Sequence, residues 1–589
     1  MSLRLRFGLV RMTFPNSQQV PTLNPAVWGY LFLLIIVNAP AALAQSTNAP
    51  LDESYYHKID RYEVKVGRIV PQLFTTVKPY KRSAIVAMVD SLDKNDSVFQ
   101  SESDQFNREY LRNDNWEWSR ATTAESRKPF LKELYKKKSD LVYVDKPDFD
   151  LHVNPILYVG TGKDSRLGTS LYTNTRGVEI RGMVDRKVGF YTSLTENQMQ
   201  LPQYAMEYGS LYGYNIVPHQ GFWKGYKTSG VDFFEARGYI DFSISKSIWV
   251  QFGHDRTFIG NGFRSLIYSD FAPPTQFLRA NLKVWKLNYL FQLNRMVADN
   301  KSPNGQRYPD KYMAFHHLSI NIGKKLNLGF FESIVFSPQD SVNGGTFEFS
   351  YLNPVIFYRA IEQQNGSADN ALLGIDWKWL IHPGISFYGQ FVLDEFVLHN
   401  MTSGNGWWGN KYALQGGIKY IDVAGIPNLD LQVEGNVVRP YTFSHKNLFT
   451  SYTNFLQPVG HPMGANFYEV AAVGRYQPIP RLTVTLKSSY LRTGRDAVPA
   501  TNPVVSWGQD INKSYDLRLQ DYNNKIAQGA DNTIIYNDLL VSYMLRHNFF
   551  IDFRQTFRNS SSPSAAFNNN SSISFLAIRW NLAARNYDF

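Results

Sequence analysis

The 589-residue chain contains no cysteine. Disulfides, thiolate metal sites and cysteine nucleophiles are excluded with it. Charge is also sparse, at 19% of residues. A membrane-crossing helix needs about 20 apolar residues, and the chain has no such run. Its longest apolar stretch, "VWGYLFLLIIV" at residues 27–37, is followed at once by Asn38 and Pro40. With a mean hydropathy of −0.32, a bundle of transmembrane helices is excluded. A transmembrane barrel is not, because its lumen-facing residues are polar and offset the lipid-facing ones. No compact Lys/Arg run or recognised motif points to nucleic acid.

Aromatic residues are abundant: 36 Tyr, 40 Phe and 12 Trp make up 15% of the chain. That content argues against general disorder. The net charge of +11 fits either ordinary solubility or contact with anionic groups such as lipid phosphates or acidic polysaccharide.

The first 44 residues read as an address. Arg4, Arg6 and Arg11 precede the short apolar run, and a small-x-small site follows at Ala42-Leu43-Ala44. This is the pattern of a secretory signal peptide cleaved after Ala44; a membrane anchor is the alternative. From Gln45 to about Asp150 the texture is mixed and partly helical. "YKRSAIVAMVDSLDKN" places Ile85, Met88, Val89 and Leu92 at helical spacing. "SRKPFLKELYKKK" places Leu131, Leu134 and Tyr135 on one helical face, with lysines in the last turn. The amphipathic faces need a partner surface. Residues 45–150 are therefore expected to plug or cap the periplasmic mouth of a barrel spanning 151–589. A free domain on a linker is the other reading.

From about Asn154 the period changes to two. "LDLQVEGNVV" alternates Leu429, Leu431 and Val433 against Asp430, Gln432 and Glu434; "NFFIDFRQTF" alternates Phe549, Ile551 and Phe553 against Asp552, Arg554 and Thr556. In the last segment Leu576, Ile578, Trp580 and Leu582 share one face, and the parity breaks before Tyr587 and Phe589. Short connections near Asp185, Lys246, Pro383, Pro427, Pro478 and His547 alternate with long ones at 197–230, 256–280, 441–465 and 494–532. That asymmetry belongs to outer-membrane barrels. About eighteen strand candidates result, with the register ambiguous over 281–352, where "KVWK" or "LNPVIF" hides a turn. A soluble sandwich or propeller is the alternative. In a membrane barrel, charged strand residues such as Lys487 and Arg554 must face the lumen, because Arg or Lys at the bilayer midplane costs roughly 2–4 kcal/mol.

Few motifs carry chemistry. "FGHDRTFIGNGFRSLIYSD" holds Gly260 and Gly262 but neither a dinucleotide fingerprint nor a phosphate loop. It reads as a strand end turning into a loop, where His254, Asp255, Arg256 and Arg264 form a polar network in the lumen or at its mouth. His316-His317 lacks zinc-site spacing. On a strand the two point to opposite faces, as do Asp394 and Glu395, so neither pair serves as a metal or catalytic site. Trp407 and Trp408 in "NGWWGN" suit sugar stacking, or an interfacial belt. "RNSSSPSAAFNNNSS" reads as a mobile surface loop. No catalytic residue, metal ligand or cofactor site is assigned.

Four strings, "RGVEIRGMVDRKVGFYTSLTENQ", "FGHDRTFIGNGFRSLIYSDFAPPT", "LNPVIFYRAIE" and "YTNFLQPVGHPMGANFYE", resemble the capsule assembly protein Wzi family in its Bacteroidetes-type branch, some of whose members are associated with gliding motility. The resemblance covers roughly residues 50–589. It implies an all-β outer-membrane barrel of about eighteen antiparallel strands with a helical element at its periplasmic end. It also implies a non-enzymatic, lectin-like role in attaching or organising capsular or other exported polysaccharide at the cell surface. The expected partners are that polysaccharide, outer-membrane lipid or lipopolysaccharide, and gliding or secretion machinery, without nucleic acid. A small-solute pore and a structural subunit of a gliding or secretion assembly remain open as alternatives.

Overall fold

The computed structural model describes residues 46–589 apart from 97, 300, 302–306, 339–346, 356, 366–368, 396 and 499. The export signal read over Arg4 to Ala44 lies outside the described residues.

Eighteen antiparallel strands close into a barrel. In chain order they are β1 (Phe149–Asp164), β2 (Leu171–Val184), β3 (Val188–Gln200), β4 (Gly230–Ser243), β5 (Ile248–Asp255) and β6 (Thr275–Val284). Then come β7 (Leu287–Val297), β8 (Asp310–Ile322), β9 (Leu326–Phe336), β10 (Asn370–His382), β11 (Ile385–Glu395) and β12 (Lys411–Tyr420). The circuit is completed by β13 (Leu429–Val438), β14 (Phe467–Ile479), β15 (Leu482–Arg495), β16 (Ala530–Arg546), β17 (Phe549–Ser561) and β18 (Asn569–Trp580). Closure joins β18 to β1, from Ile573 opposite Asp164 to Trp580 opposite Leu157. The ambiguity at 281–352 resolves into two tight turns. "KVWK" holds one, with Trp285 at φ 53°, and the other lies between Ile322 and Leu326. "LNPVIF" is loop.

The alternation of each strand sorts its side chains between lipid and lumen. Leu431, Ile551, Phe553, Leu576 and Ile578 are exposed on the outer face, while Asp430, Gln432, Glu434, Asp552, Lys487 and Arg579 are buried inside. Arg554 likewise faces inward, against Asp538. Near the short turns the outer face carries Trp379, Phe387, Tyr476 and Tyr543 together with Phe549 and Trp580, whose rings stand 5.0 Å apart. That is an apolar belt with an aromatic girdle. Both ends of the barrel sheet, Phe149 and Trp580, lie at the short-turn rim, the periplasmic side of this architecture.

Outward-facing His316 and Glu332 break the apolar pattern. Residues from the β9–β10 loop cover them from outside. Tyr358 packs on His316 with ring centres 4.0 Å apart. The backbone N–H groups of Tyr358 and Arg359, opening α4 (Tyr358–Asn365), donate to the Glu332 carboxylate at 2.9 Å each. A polar group on this wall needs such partners, because lipid offers none.

Among the described residues three helices of 13 or 14 residues precede the strands: α1 (Glu53–Val66), α2 (Arg82–Asn95) and α3 (Glu102–Asp114). Asp52 caps α1 by accepting from the Ser54 and Tyr55 amides, and Ser101 caps α3. Ile85, Met88, Val89 and Leu92 of α2 are no more than 1% exposed, packed against Tyr55, Ile59, Tyr62 and Leu111. Each such burial is worth roughly 1.5–3 kcal/mol. The helices sit at the short-turn mouth. Arg61 bonds Asp430 and Asp104, and Asn107 bonds Gln477 at the β14–β15 turn.

The second expected helix does not form. Leu131, Lys132 and Tyr135 have φ of 50°, 64° and 56°, which no right-handed helix accommodates. Residues 121–138 instead fold back on themselves, Ser126 N–H donating to Lys136 O and Lys138 N–H to Ala124 O.

At the opposite mouth the long loops turn inward. Leu201, Tyr204 and Val217 from β3–β4, Ile259 and Phe271 from β5–β6, Phe443 and Tyr452 from β13–β14, and Ile511 from β15–β16 join inward wall residues in one apolar core. The core therefore sits inside the barrel. The chain after β18 enters it too. Asn581 turns at φ 51°, Leu582 leaves the outer face to line the lumenal cavity, and Phe589 packs on Tyr208 at 4.5 Å. "RNSSSPSAAFNNNSS" is mainly the ends of β17 and β18. Phe567 in its short connection is buried and its carbonyl accepts from Ser560, so the reading of a mobile loop is corrected.

The wall assignment predicts a depth-dependent cost. Val470→Arg, outward in mid-β14, should destabilise by roughly 2–4 kcal/mol, and Asn570→Arg at the loop rim by about 0–1. Unfolding by denaturant in lipid vesicles measures both; equal costs would contradict the lipid-facing assignment.

Candidate functional site

The four residues of the β5–β6 string part company. His254 is on the outer face, its Nδ1 2.9 Å from Ala236 O. Strand parity puts it opposite Asp255, so it belongs to no lumenal network. Asp255 faces inward, 3.6 Å from Arg237. Arg256 lies near Glu235 at 3.6 Å and donates to His219 O at 2.9 Å. Arg264 lies further along the loop, in a separate cluster.

The loop reaches that deep position because it plunges into the lumen and meets the N-terminal segment. Phe258-Ile259 pairs with Val77-Lys78, and Gly260 N–H donates to Thr76 O. Gly260 has φ 142°, and a Cβ there would stand 2.5 Å from the Gln390 amide nitrogen, so this crossing requires glycine. Beyond it, the Phe263 and Arg264 amides donate to Glu434 at 2.7 and 3.1 Å.

Arg264 then links the interior. It pairs with Glu469 at 3.1 Å and Asp588 at 2.9 Å. Glu469 meets His461 at 2.9 Å. Asp588 meets Lys487 at 3.2 Å, and Lys487 meets Glu53 of α1 at 2.6 Å, where Arg475 also lies at 2.6 Å. One chain of charges thus joins the β5–β6 loop, the tail, the wall and a helix at the short-turn mouth. Burial alone would push the Glu53 carboxyl up; the Lys487 and Arg475 cations outweigh it and hold it down at about 2. Asp588 is depressed in the same way, burial opposing the stronger pull of Arg264 and Lys487. Beside this chain lies a cavity of about 410 Å³, lined among others by Lys58, Arg475, Arg554, Arg585, Glu235 and Asp538.

The adjacent pairs are structural. His317 Nε2 is 2.6 Å from Asp376 in the lumen, while His316 faces outward. Asp394 and Glu395 meet the same lysine, Lys411, at 3.0 and 3.5 Å, because the register shifts at the end of β11. The expectation that strand alternation separates them is corrected. Among the described residues no cluster of three or more His, Asp or Glu is arranged to hold a metal.

Trp407 and Trp408 belong to the loop face. Trp408 packs on Tyr515 with ring centres 4.7 Å apart and on Trp407 at 5.8 Å, and the Arg518 guanidinium lies 4.2 Å above it. Two long loops build this shelf together. Trp408 N–H donates to Asp521 O, Asn523 N–H to Asn405 O and Asn524 N–H to Gly406 O. The four side chains are half-buried, with Asp516, Asp521 and Tyr522 exposed beside them. Flat aromatic surface ringed by carboxylate, guanidinium and amide groups is the chemistry that stacks on and hydrogen-bonds to a sugar. Tyr515, Arg518 and Asp521 escaped the sequence reading because they lie more than a hundred residues from Trp408.

No sequence-family model and no curated protein sequence matches the chain. Solved structures do. The chain is similar to Wzi of Escherichia coli, described as an outer-membrane protein involved in group 1 capsule assembly and a carbohydrate-binding β-barrel, with 13% identity and a TM-score of 0.55, covering 92% of this chain and 100% of that one. The fold is that of an outer-membrane barrel. Two barrels of Pseudomonas aeruginosa are also similar: OccK8 (OprE), with 11% identity and a TM-score of 0.40 over 73% of this chain and 97% of that one, and OprD, with 9% and 0.39 over 75% and 97%.

The charge chain sets an acid limit. A carboxylate depressed on folding contributes stability above its unfolded pKa and loses it as pH falls toward the folded value. For Glu53 that window runs from 4.5 down to about 2. Glu53→Gln should flatten acid unfolding across it, read by tryptophan fluorescence in detergent; an unchanged profile would remove Glu53 from the link.

Proposed function

We propose that this protein is a non-enzymatic outer-membrane barrel that holds or organises exported polysaccharide at the cell surface, with its short turns in the periplasm. The observation that carries the reading is the aromatic shelf of Trp408, Tyr515 and Arg518 on the loop face. Two others support it. The lumen is occupied from both mouths, by helices at one and inward loops at the other, which suits a surface that binds rather than a passage that conducts. The solved barrel it resembles over nearly its whole length is described as carbohydrate-binding. Capsular polysaccharide is the natural ligand class on this reading, and α1–α3 act as a periplasmic plug.

A small-solute pore is the second reading. The charged lumenal cavity of about 410 Å³ favours it. A subunit of a gliding or secretion assembly is a third, favoured by exposed Phe349, Val355 and Phe357 on the segment that covers the outer wall.

Trp408→Ala and Tyr515→Ala should each weaken binding of purified cell-surface polysaccharide about five-fold, corresponding to the ~1 kcal/mol of one aromatic stacking contact. Planar-bilayer recordings should find the full chain closed and a form lacking residues 45–140 conducting. Unchanged glycan binding together with large channels in the full chain would replace the tether with the pore.

A further inference from the structure

The folded-back segment 121–138 has no role in the reading above. It lies at the short-turn rim, outside the wall. Tyr135 stacks on Trp580 with ring centres 5.4 Å apart and planes 17° apart, and Trp580 is an outward residue of the aromatic girdle. The segment therefore continues the lipid-facing belt at the level of the periplasmic headgroups. Its neighbour in the wall, Val142, is outward and 44% exposed. At the tip of the segment Phe130 and Leu131 are 53% and 72% exposed. A tight turn presents them, Glu133 and Leu134 N–H both donating to Phe130 O. Leu131 and Lys132 sit in the left-handed region that non-glycine residues avoid.

Charge at the tip has one sign. Residues 125–138 carry six cations, Arg127, Lys128, Lys132, Lys136, Lys137 and Lys138, against Glu125 and Glu133. Both acids are taken, Glu125 by Lys137 and Glu133 by Lys136. Lys138 donates to Thr123 O. Arg127, Lys128 and Lys132 are exposed and, among the described residues, form no ion pair. Two bare apolar side chains flanked by three unpaired cations, next to an aromatic girdle, match an anionic lipid surface: the apolar pair enters the acyl boundary while the cations meet phosphate.

We propose that residues 121–138 are a lipid-binding strap that takes the headgroup of an anionic phospholipid of the periplasmic leaflet on Arg127, Lys128 and Lys132, with Phe130 and Leu131 inserted beside it. The strap anchors the polypeptide between α3 and β1 to the membrane on the outside of the rim, and so ties the helical element to the bilayer as well as to the lumen. This inference rests on the barrel spanning the membrane and is independent of any glycan.

Because the chain lacks cysteine, Leu131→Cys gives a unique attachment point for an environment-sensitive fluorophore on the full-length protein. In vesicles of equimolar phosphatidylethanolamine and phosphatidylglycerol the label should shift to the blue and be quenched by spin-labelled lipid. Glycerol phosphate added in solution should not reverse this. Native mass spectrometry of the unlabelled protein should show phosphatidylglycerol retained over phosphatidylethanolamine. That preference should fall about five-fold for each of Arg127→Gln, Lys128→Gln and Lys132→Gln, as expected for about 1 kcal/mol per basic residue near an anionic surface. Lys246→Gln and Lys324→Gln, in other turns of the same rim, should leave it unchanged; heat-modifiable gel mobility checks that every variant folds. A label that stays water-exposed, or a preference equally sensitive to all five cations, would overturn the proposal and leave the strap an ordinary solvated surface.

Discussion

The arrangement depends on the pairing of Arg264 with Glu469 and Asp588 inside the barrel. A barrel of this circumference encloses more space than wall side chains fill, so something must occupy it. Here the filling comes from the long loops at one mouth, the tail after the last strand and the helices at the other mouth, and the charges join one loop, the tail and α1. Charges that leave water need partners of opposite sign within hydrogen-bonding reach. The run from Glu469 through Arg264, Asp588 and Lys487 to Glu53 supplies those partners from the loop, the tail, the wall and the helix together. Removing Asp588 takes one of two partners from both Arg264 and Lys487, so the loop, the tail and the helix are coupled through it.

That constraint bears on function. A lumen held by interlocking charges does not open by moving one loop, because displacing the β5–β6 loop breaks its pairing with Val77-Lys78 and its hold on Glu434 and Asp588 together. The proposed tether uses the surface instead, which on the loop face is aromatic and polar.

Much of the wall was legible in the sequence, because one lipid face imposes a period of two and one short-turn rim imposes a length asymmetry. Asp430, Gln432 and Glu434 against Leu431 and Val433 is the pattern of a strand between lipid and water. The amphipathic stripe of α2 was legible for the same reason, since Ile85, Met88, Val89 and Leu92 bury against apolar partners. Helix α1 carried a weaker signal. Its buried face includes Asp60, Arg61 and Glu63, because it fits a polar lumen. The helix expected over Leu131 to Tyr135 failed because hydrophobic spacing does not register left-handed backbone at successive residues. His254 was misplaced by grouping it with its neighbours, although parity on β5 already set it on the opposite face from Asp255. The shelf was half legible: Trp407-Trp408 stood out, but Tyr515 and Arg518 reach it only through loop pairing that no local pattern encodes.

The central claim is that the barrel retains polysaccharide at the cell surface. Deleting the gene and staining intact cells for surface glycan, with the released fraction quantified alongside, tests it most directly. The account predicts polysaccharide synthesised in normal amount but shed into the medium, with attachment restored by the intact gene and not by a Trp408→Ala/Tyr515→Ala form. Cell-associated polysaccharide unchanged by the deletion would contradict it.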